Sequence, residues 1–179
     1  MEFDGPRAFQ WIEIDGNSLV HDLRLSRKTS RETQLSRVME HQGDGVNLQS
    51  VVTWKTSVGQ LQPVTRDESV GYRRTWMARR SGQLAEIPVG YTSAYSRTPG
   101  RRGKVLIRGC SAPDVGRVCR NVLMADVTDI TDVSIGDEVV LIGRLGDDEI
   151  PVEEIASLSD TIRNESLTRL SPGISCSAV

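Results

Sequence analysis

From Asn47 onward the chain is a series of short apolar, β-favouring runs broken by Gly, Pro and Asp. That punctuation constrains the fold more than any other feature, because it leaves no room for long helices and spaces its turns as an all-β barrel or sandwich does. Val51 to Gln62 reads as the first long strand, followed by Gly71 to Arg79, Gln83 to Val89, Lys104 to Ile107, Pro113 to Cys119, Met124 to Val127 and Glu138 to Ile142. Pro151 opens the best helix of this region: proline suits a first turn, Glu153 and Glu154 complement the positive end of the helix dipole, and Ile155 and Leu158 share a face. Ser159 to Glu165 reads as its continuation or as a turn, and Pro172 to Val179 as a fraying end.

Ahead of Asn47 the texture differs. Residues 8 to 15, AFQWIEID, alternate bulky and polar side chains as a half-buried strand does, and Gly16 ends the run. Asn17 or Ser18 then caps a short helix through Leu19, Leu23 and Leu25. Residues 26 to 47 hold too few apolar side chains to make a core and read as a polar linker with at most a weak helix near Leu35 to Glu40. The expected organisation is therefore a strand and helix at 1–25, a linker at 26–47, a β-domain at 48–170 and a frayed tail at 171–179.

Charge and composition exclude several roles. A net charge of -2 gives no general attraction for nucleic acid. No apolar run approaches the length needed to cross a bilayer, and the acidic start Met1-Glu-Phe-Asp4 is unlike a secretory signal. Cys110, Cys119 and Cys176 are widely spaced and odd in number, which favours free thiols in a reducing, cytoplasmic setting. Asp126, Asp129, Asp132 and Asp137 lack the spacing of a calcium loop, and His21 and His41 are too few for a zinc site. No metal is expected. The arginine pairs at 73–74, 79–80 and 101–102 offer planar donors for phosphate or carboxylate, yet balanced charge makes a solvated surface the better reading.

Three blocks in order, Glu86-Ile-Pro-Val-Gly-Tyr-Thr-Ser-Ala-Tyr95, Val115-Gly-Arg-Val-Cys119 and Ser134-Ile-Gly-Asp-Glu-Val-Val-Leu-Ile-Gly143, resemble the C-terminal β-domain of alanine racemases. The likeness runs from about Val51 to Leu170, and Trp11 to Asp15 resembles the first strand of the same family, which there belongs to the β-domain. It implies a mainly β fold, an alanine racemase C-terminal-type barrel with one or two short helices. In that family pyridoxal phosphate sits on a lysine of a separate TIM barrel, and a tyrosine from the partner's β-domain acts as the opposing base.

The resemblance places that tyrosine at Tyr91 and a second aromatic position at Tyr95. Thr92-Ser93-Ala94 stands where the family has Ala-Asp-Gly, and Arg120-Asn121 where it has Met-Asp at the substrate entrance. Asn164 replaces a tyrosine that helps hold cofactor phosphate, and Pro172-Gly173 replaces Pro-Arg. The barrel itself has no counterpart: none of Lys28, Lys55 and Lys104 follows the family's barrel strand. Without that lysine the electron sink that makes an amino acid's Cα acidic is lost, so no cofactor and no autonomous alanine racemisation are expected.

A tyrosine phenol ionises near pH ~10, so serving as a base needs nearby cations, which Arg117 and Arg120 would supply, whereas serving as an acid or hydrogen-bond donor needs none. The expectation is a cofactor-independent protein that binds a small organic molecule, with Tyr91 catalytic and Tyr95, Arg117, Arg120 and Asn121 at the substrate, acting as an isomerase or cyclase if it is an enzyme. The alternatives are a non-catalytic accessory domain, or one part of a cofactor-dependent racemase completed by a separate barrel protein. A homo-oligomer or that barrel would then cover the exposed face; a plain packing role for Tyr91 competes with all of these.

Overall fold

The computed structural model describes residues 10–15, 52–95, 103–170 and 174–178. The helix expected after Gly16 and the linker expected at 26–47 lie outside the described residues. The strands are β1 (Gln10–Ile14), β2 (Val52–Ser57), β3 (Gln60–Val64), β4 (Ser69–Val70), β5 (Trp76–Met77), β6 (Gly82–Ile87), β7 (Lys104–Ile107), β8 (Cys110–Val115), β9 (Leu123–Asp126), β10 (Glu138–Leu145), β11 (Asp148–Ile150) and β12 (Ser175–Ala178), with helices α1 (Val152–Leu158) and α2 (Arg163–Thr168).

One hydrogen-bonded path runs β12-β1-β2-β10-β7-β8-β9-β6-β3, with β11 added to β10. β2 and β3 lie far apart on that path, yet only Val58 and Gly59 separate them in the chain. Two strands so close in sequence cannot reach distant positions on a flat sheet, so the sheet curls around its core into an open barrel. The bend is fixed by Val58 N–H donating to the Asp137 carbonyl and Gly59 N–H to the Glu86 carbonyl, both at 2.9 Å. The single strand expected over Val51 to Gln62 is accordingly two strands.

Inward residues fill the barrel. Trp54, Ile87, Leu106, Leu123, Leu141 and Ile142 are essentially inaccessible, and Val139 to Gly143 of β10 are buried without a break because strands and helices cover both faces. A smaller cluster of Val64, Ala78, Leu84 and Val115 lies beneath the β4–β5 hairpin.

The strand expected over Pro113 to Cys119 is β8, Cys110–Val115, which ends where Gly116 takes φ 74°, and three further segments are also notable. Residues 71–79 form no continuous strand: Gly71, Arg73 and Arg74 take φ of 83°, 61° and 50°, and the chain makes a 3-10 turn at Tyr72–Arg74 before β5. Left-handed backbone of this kind cannot continue a ladder. The segment after α1 turns at Asp160 and starts a second helix, α2. The tail expected to fray instead contributes β12, parallel to β1 from Trp11↔Ser175 to Ile14↔Ala178, since a free edge beside β1 offers unpaired backbone groups.

Candidate functional site

Tyr91 opens a 3-10 turn, Tyr91–Ser93, between β6 and β7. This turn is stitched to the segment after β8. Tyr91 N–H donates to the Cys119 carbonyl and Thr92 N–H to the Arg120 carbonyl, each at 3.2 Å, while Ser93 N–H closes back on the Gly90 carbonyl at 3.0 Å. Glycine is required at position 90 by proximity: a Cβ there would lie 2.3 Å from the Arg120 oxygen and 2.4 Å from the Cys119 oxygen. Gln10 of β1 locks the far side, its Nε2 donating to the Pro88 carbonyl at 2.8 Å and to Ser93 Oγ at 3.0 Å. Two elements remote in sequence, β1 and the segment after β8, therefore fix one turn.

The resulting corner leaves Tyr91 44% exposed, with Arg120 and Asn121 exposed and Arg117 half-buried beside it. Thr92 Oγ1 lies 2.8 Å from the Arg120 carbonyl and 2.6 Å from Asn121 Oδ1. A hydroxyl has one proton to give, so the consistent arrangement has Thr92 donating to the carbonyl and the Asn121 amide turned to donate to Thr92. Asn121 is thereby spent in holding the turn. The structure thus brings Tyr91, Arg120 and Asn121 together on one ridge, with Arg117 three residues before Arg120.

Tyr95 is placed otherwise. It is 2% exposed, its ring centroid lies 6.4 Å from that of Trp54, and its hydroxyl sits 3.5 Å from Asp114 Oδ2. Burial, followed by the negative charge and hydrogen bonding of Asp114, pushes its phenol well above the ordinary tyrosine range. Tyr95 is a neutral donor in the core and not a group on the exposed corner. Gly103 makes room for it, since a Cβ there would come within 2.4 Å of the hydroxyl.

A cleft of about 750 Å³ lies under the β4–β5 hairpin and is lined by Trp76, Met77, Arg79, Asp114 and Asp126 among others, but not by Tyr91. The aspartates weighed as a cation cluster serve turns: Asp126 accepts from Thr128 N–H at 3.0 Å, Asp137 from Ser134 N–H at 2.9 Å, and Asp129 pairs with Arg80.

Pyridoxal phosphate needs an amine free to condense with its aldehyde. Lys55 Nζ is held 2.7 Å from Glu13 and 3.3 Å from Glu138. Burial works against its charge, but hydrogen bonds and attraction from the two carboxylates prevail and hold the ammonium above its usual range. Lys104 lies 3.4 Å from Glu154. Both described lysines are charged partners in ion pairs and do not fit an aldimine-forming role; Lys28 lies outside the described residues.

Sequence reasoning singled out Tyr91 and missed Gln10, Gly90 and Ser93 as the groups that fix the turn it opens. A glycine directly before the tyrosine was the one available signal, and no pattern announces that a side chain of β1 will reach residues 88 and 93.

The family profile for the alanine racemase C-terminal domain matches residues 51–177. Alanine racemase of Halothermothrix orenii is 43% identical over 122 residues, which cover 68% of this chain and 32% of that enzyme. Alanine racemase of Syntrophobacter fumaroxidans is 44% identical over 119 residues, covering 66% and 32%. Among solved structures, alanine racemase from Bartonella henselae with covalently bound pyridoxal phosphate aligns with a TM-score of 0.70 at 30% identity, covering 78% of this chain and 38% of that one. A histidine racemase from Leuconostoc mesenteroides aligns with a TM-score of 0.69 at 25% identity, covering 79% and 37%. The chain spans about a third of the length of the curated relatives it matches.

Proposed function

Since the chain belongs to the alanine racemase C-terminal domain family, we propose that it is the tyrosine-bearing half of a composite amino-acid racemase site, completed by a cofactor-carrying barrel on another polypeptide. The observation that carries this reading is the combination of exposure and rigidity at Tyr91. An aromatic 44% exposed would ordinarily be free to move, yet the turn beneath it is tied to Cys119, Arg120 and Gln10. Fixing the backbone beneath a phenol on an open surface is of use when the rest of the site arrives from outside.

On its own, the corner has no means of acidifying an ordinary amino acid Cα. The cofactor, bound on the partner, supplies the electron sink for that step. This chain contributes the Tyr91 phenol oxygen, which takes the Cα proton from one face or returns it.

The test is a chimera in which residues 51–177 replace the C-terminal domain of Halothermothrix orenii alanine racemase. A folded, pyridoxal-loaded chimera is expected to interconvert the alanine enantiomers, with Tyr91→Phe lowering kcat by roughly 10²–10⁴-fold, the usual range for loss of a general acid–base group. A loaded chimera without turnover would count against the reading.

A second reading keeps the same corner but needs no cofactor: Tyr91 donates its proton to a bound small molecule in an isomerisation or cyclisation. It is favoured by the neutral Thr92–Asn121 contact, which puts an amide where a carboxylate would compete for the substrate's hydrogen bonds. Turnover of an already activated substrate by the chain alone, lost in Tyr91→Phe, would single it out.

A further inference from the structure

The arginines of this chain are not used alike. Arg66, Arg80, Arg108, Arg144, Arg163 and Arg169 each face a carboxylate within ion-pair distance. Among the described residues, the guanidinium groups of Arg74, Arg79, Arg117 and Arg120 have no such partner, and Arg79 lines the separate cleft under the β4–β5 hairpin; the other three concern the Tyr91 corner. All three belong to segments that the fold draws together around Tyr91.

The link between Arg117–Arg120 and Tyr91 is the pair of backbone hydrogen bonds already described. The link to Arg74 is equally close. Gly71, which opens the Tyr72–Arg74 turn, lies against the residues after β8: a Cβ on it would stand 3.2 Å from Gly116 Cα and 3.4 Å from Arg117 N. Both glycines have positive φ, 83° and 74°, so each chain turns sharply where the two meet. These two backbone contacts, Gly71 on Gly116–Arg117 and Tyr91–Thr92 on Cys119–Arg120, set side by side the segments that carry the three unpaired cations and the phenol.

Unpaired guanidinium groups brought together repel one another, and each carries donors in a planar fork matched to carboxylate or phosphate oxygens. An α-carboxylate alone would occupy one such fork. We propose that Arg74, Arg117 and Arg120 make the Tyr91 surface a recognition site for a substrate that carries an anionic group in addition to its α-carboxylate, as an acidic amino acid does. This names the substrate class of the composite site and rests on the reading that Tyr91 faces an amino acid; the anion preference itself is a property of the chain alone and is tested there.

The experiment is a titration of the 179-residue chain, followed by backbone amide resonances at low ionic strength, with glutamate, glutamine, alanine and the phosphonate analogue of glutamate. Glutamate is expected to bind at least about tenfold more tightly than glutamine or alanine, with shifts concentrated at residues 71–74, 90–92 and 116–121. Arg117→Met combined with Arg120→Met should erase that difference, and the corresponding lysine pair should retain part of it. A phosphonate bound more tightly than glutamate would support the proposal and identify the second group as tetrahedral. Equal responses to glutamate and glutamine, or shifts elsewhere on the molecule, would overturn it. That result would leave the chimera's alanine turnover untouched, whereas an inactive chimera alongside a glutamate-selective titration would sink only the composite-racemase reading.

Discussion

Tyr91 and Tyr95 are four positions apart and face opposite worlds, because the turn between them ends with Ala94 in the left-handed conformation at φ 76°. Gly90 is what permits that turn to lie on residues 119–120. Gly90→Ala, whose methyl would overlap two carbonyl oxygens, is expected to cost about 3 kcal/mol, the upper part of the range for overpacking a tight site. Urea unfolding would measure the loss, and hydrogen exchange at Tyr91 and Thr92 would report whether the turn has come loose.

Tyr95 allows a sharper comparison. Its hydroxyl contact to Asp114 is long, so Tyr95→Phe should cost about 1 kcal/mol or less, while Tyr95→Ala opens the core beside Trp54 and should cost about 3–5 kcal/mol. The pH dependence has a definite sign. A phenol whose folded pKa is raised contributes stability that is fully present below the unfolded value, about 10, and is lost as the pH rises above it. Denaturation at pH 9 to 11 should therefore show a decline that Tyr95→Phe removes in part.

At the scale of elements, β1 is held by more than its ladder. It pairs with β2 over Gln10↔Thr56 to Ile14↔Val52, and Glu13 reaches across to Lys55, which also meets Glu138 on β10. One lysine thus joins three adjacent strands. Burial acts to raise the Glu13 pKa, but hydrogen bonds from Lys55 and Trp11 and the lysine's charge outweigh it, so the carboxyl lies below its usual 4.5. Its contribution is full above pH 4.5 and fades as the pH falls through the lowered value; that of Lys55 is full below 10.5 and fades as the pH rises through its raised value. Lys55→Met should cost about 1–2 kcal/mol at neutral pH, less than for a fully buried pair because both groups are partly solvated. The difference from the parent should shrink as the pH falls through the lowered value of Glu13 and the pair loses its carboxylate.

The strands themselves were legible in unequal measure. Lys104 to Ile107 and the start of β10 at Glu138 match expectation because apolar runs bounded by glycine leave little choice of period. Residues 71–79 misled because Tyr72, Trp76 and Met77 favour strands, while contact between Gly71 and Gly116 imposes a turn. β12 was illegible for a different reason: Ser175-Cys-Ser-Ala178 has almost no intrinsic preference and becomes a strand through the partner it finds in β1.

For the molecule as a whole, the first described strand is both a sheet member and a clamp on the Tyr91 turn. Removing residues 1–15 would uncover the β2 edge and delete the Gln10 contacts to Pro88 and Ser93. The truncated protein is expected to associate through that edge, giving larger and heterogeneous species in size-exclusion chromatography with light scattering, and to be cut faster within residues 89–95 in limited proteolysis. A monodisperse, equally resistant product would show that β1 is dispensable to the turn.

The sequence by itself determined the β character of the chain and its family, because alternation, turn residues and motif blocks are local and survive being read in one dimension. Only the tertiary structure decided that Tyr91 stands on the surface while Tyr95 lies in the core, and that the segments carrying Arg74 and Arg117–Arg120 meet beside the Tyr91 turn. Those outcomes depend on which backbones touch, Gly71 on Gly116 and Gly90 on Arg120, and contact between distant segments is set by the curl of the sheet rather than by any run of neighbouring residues.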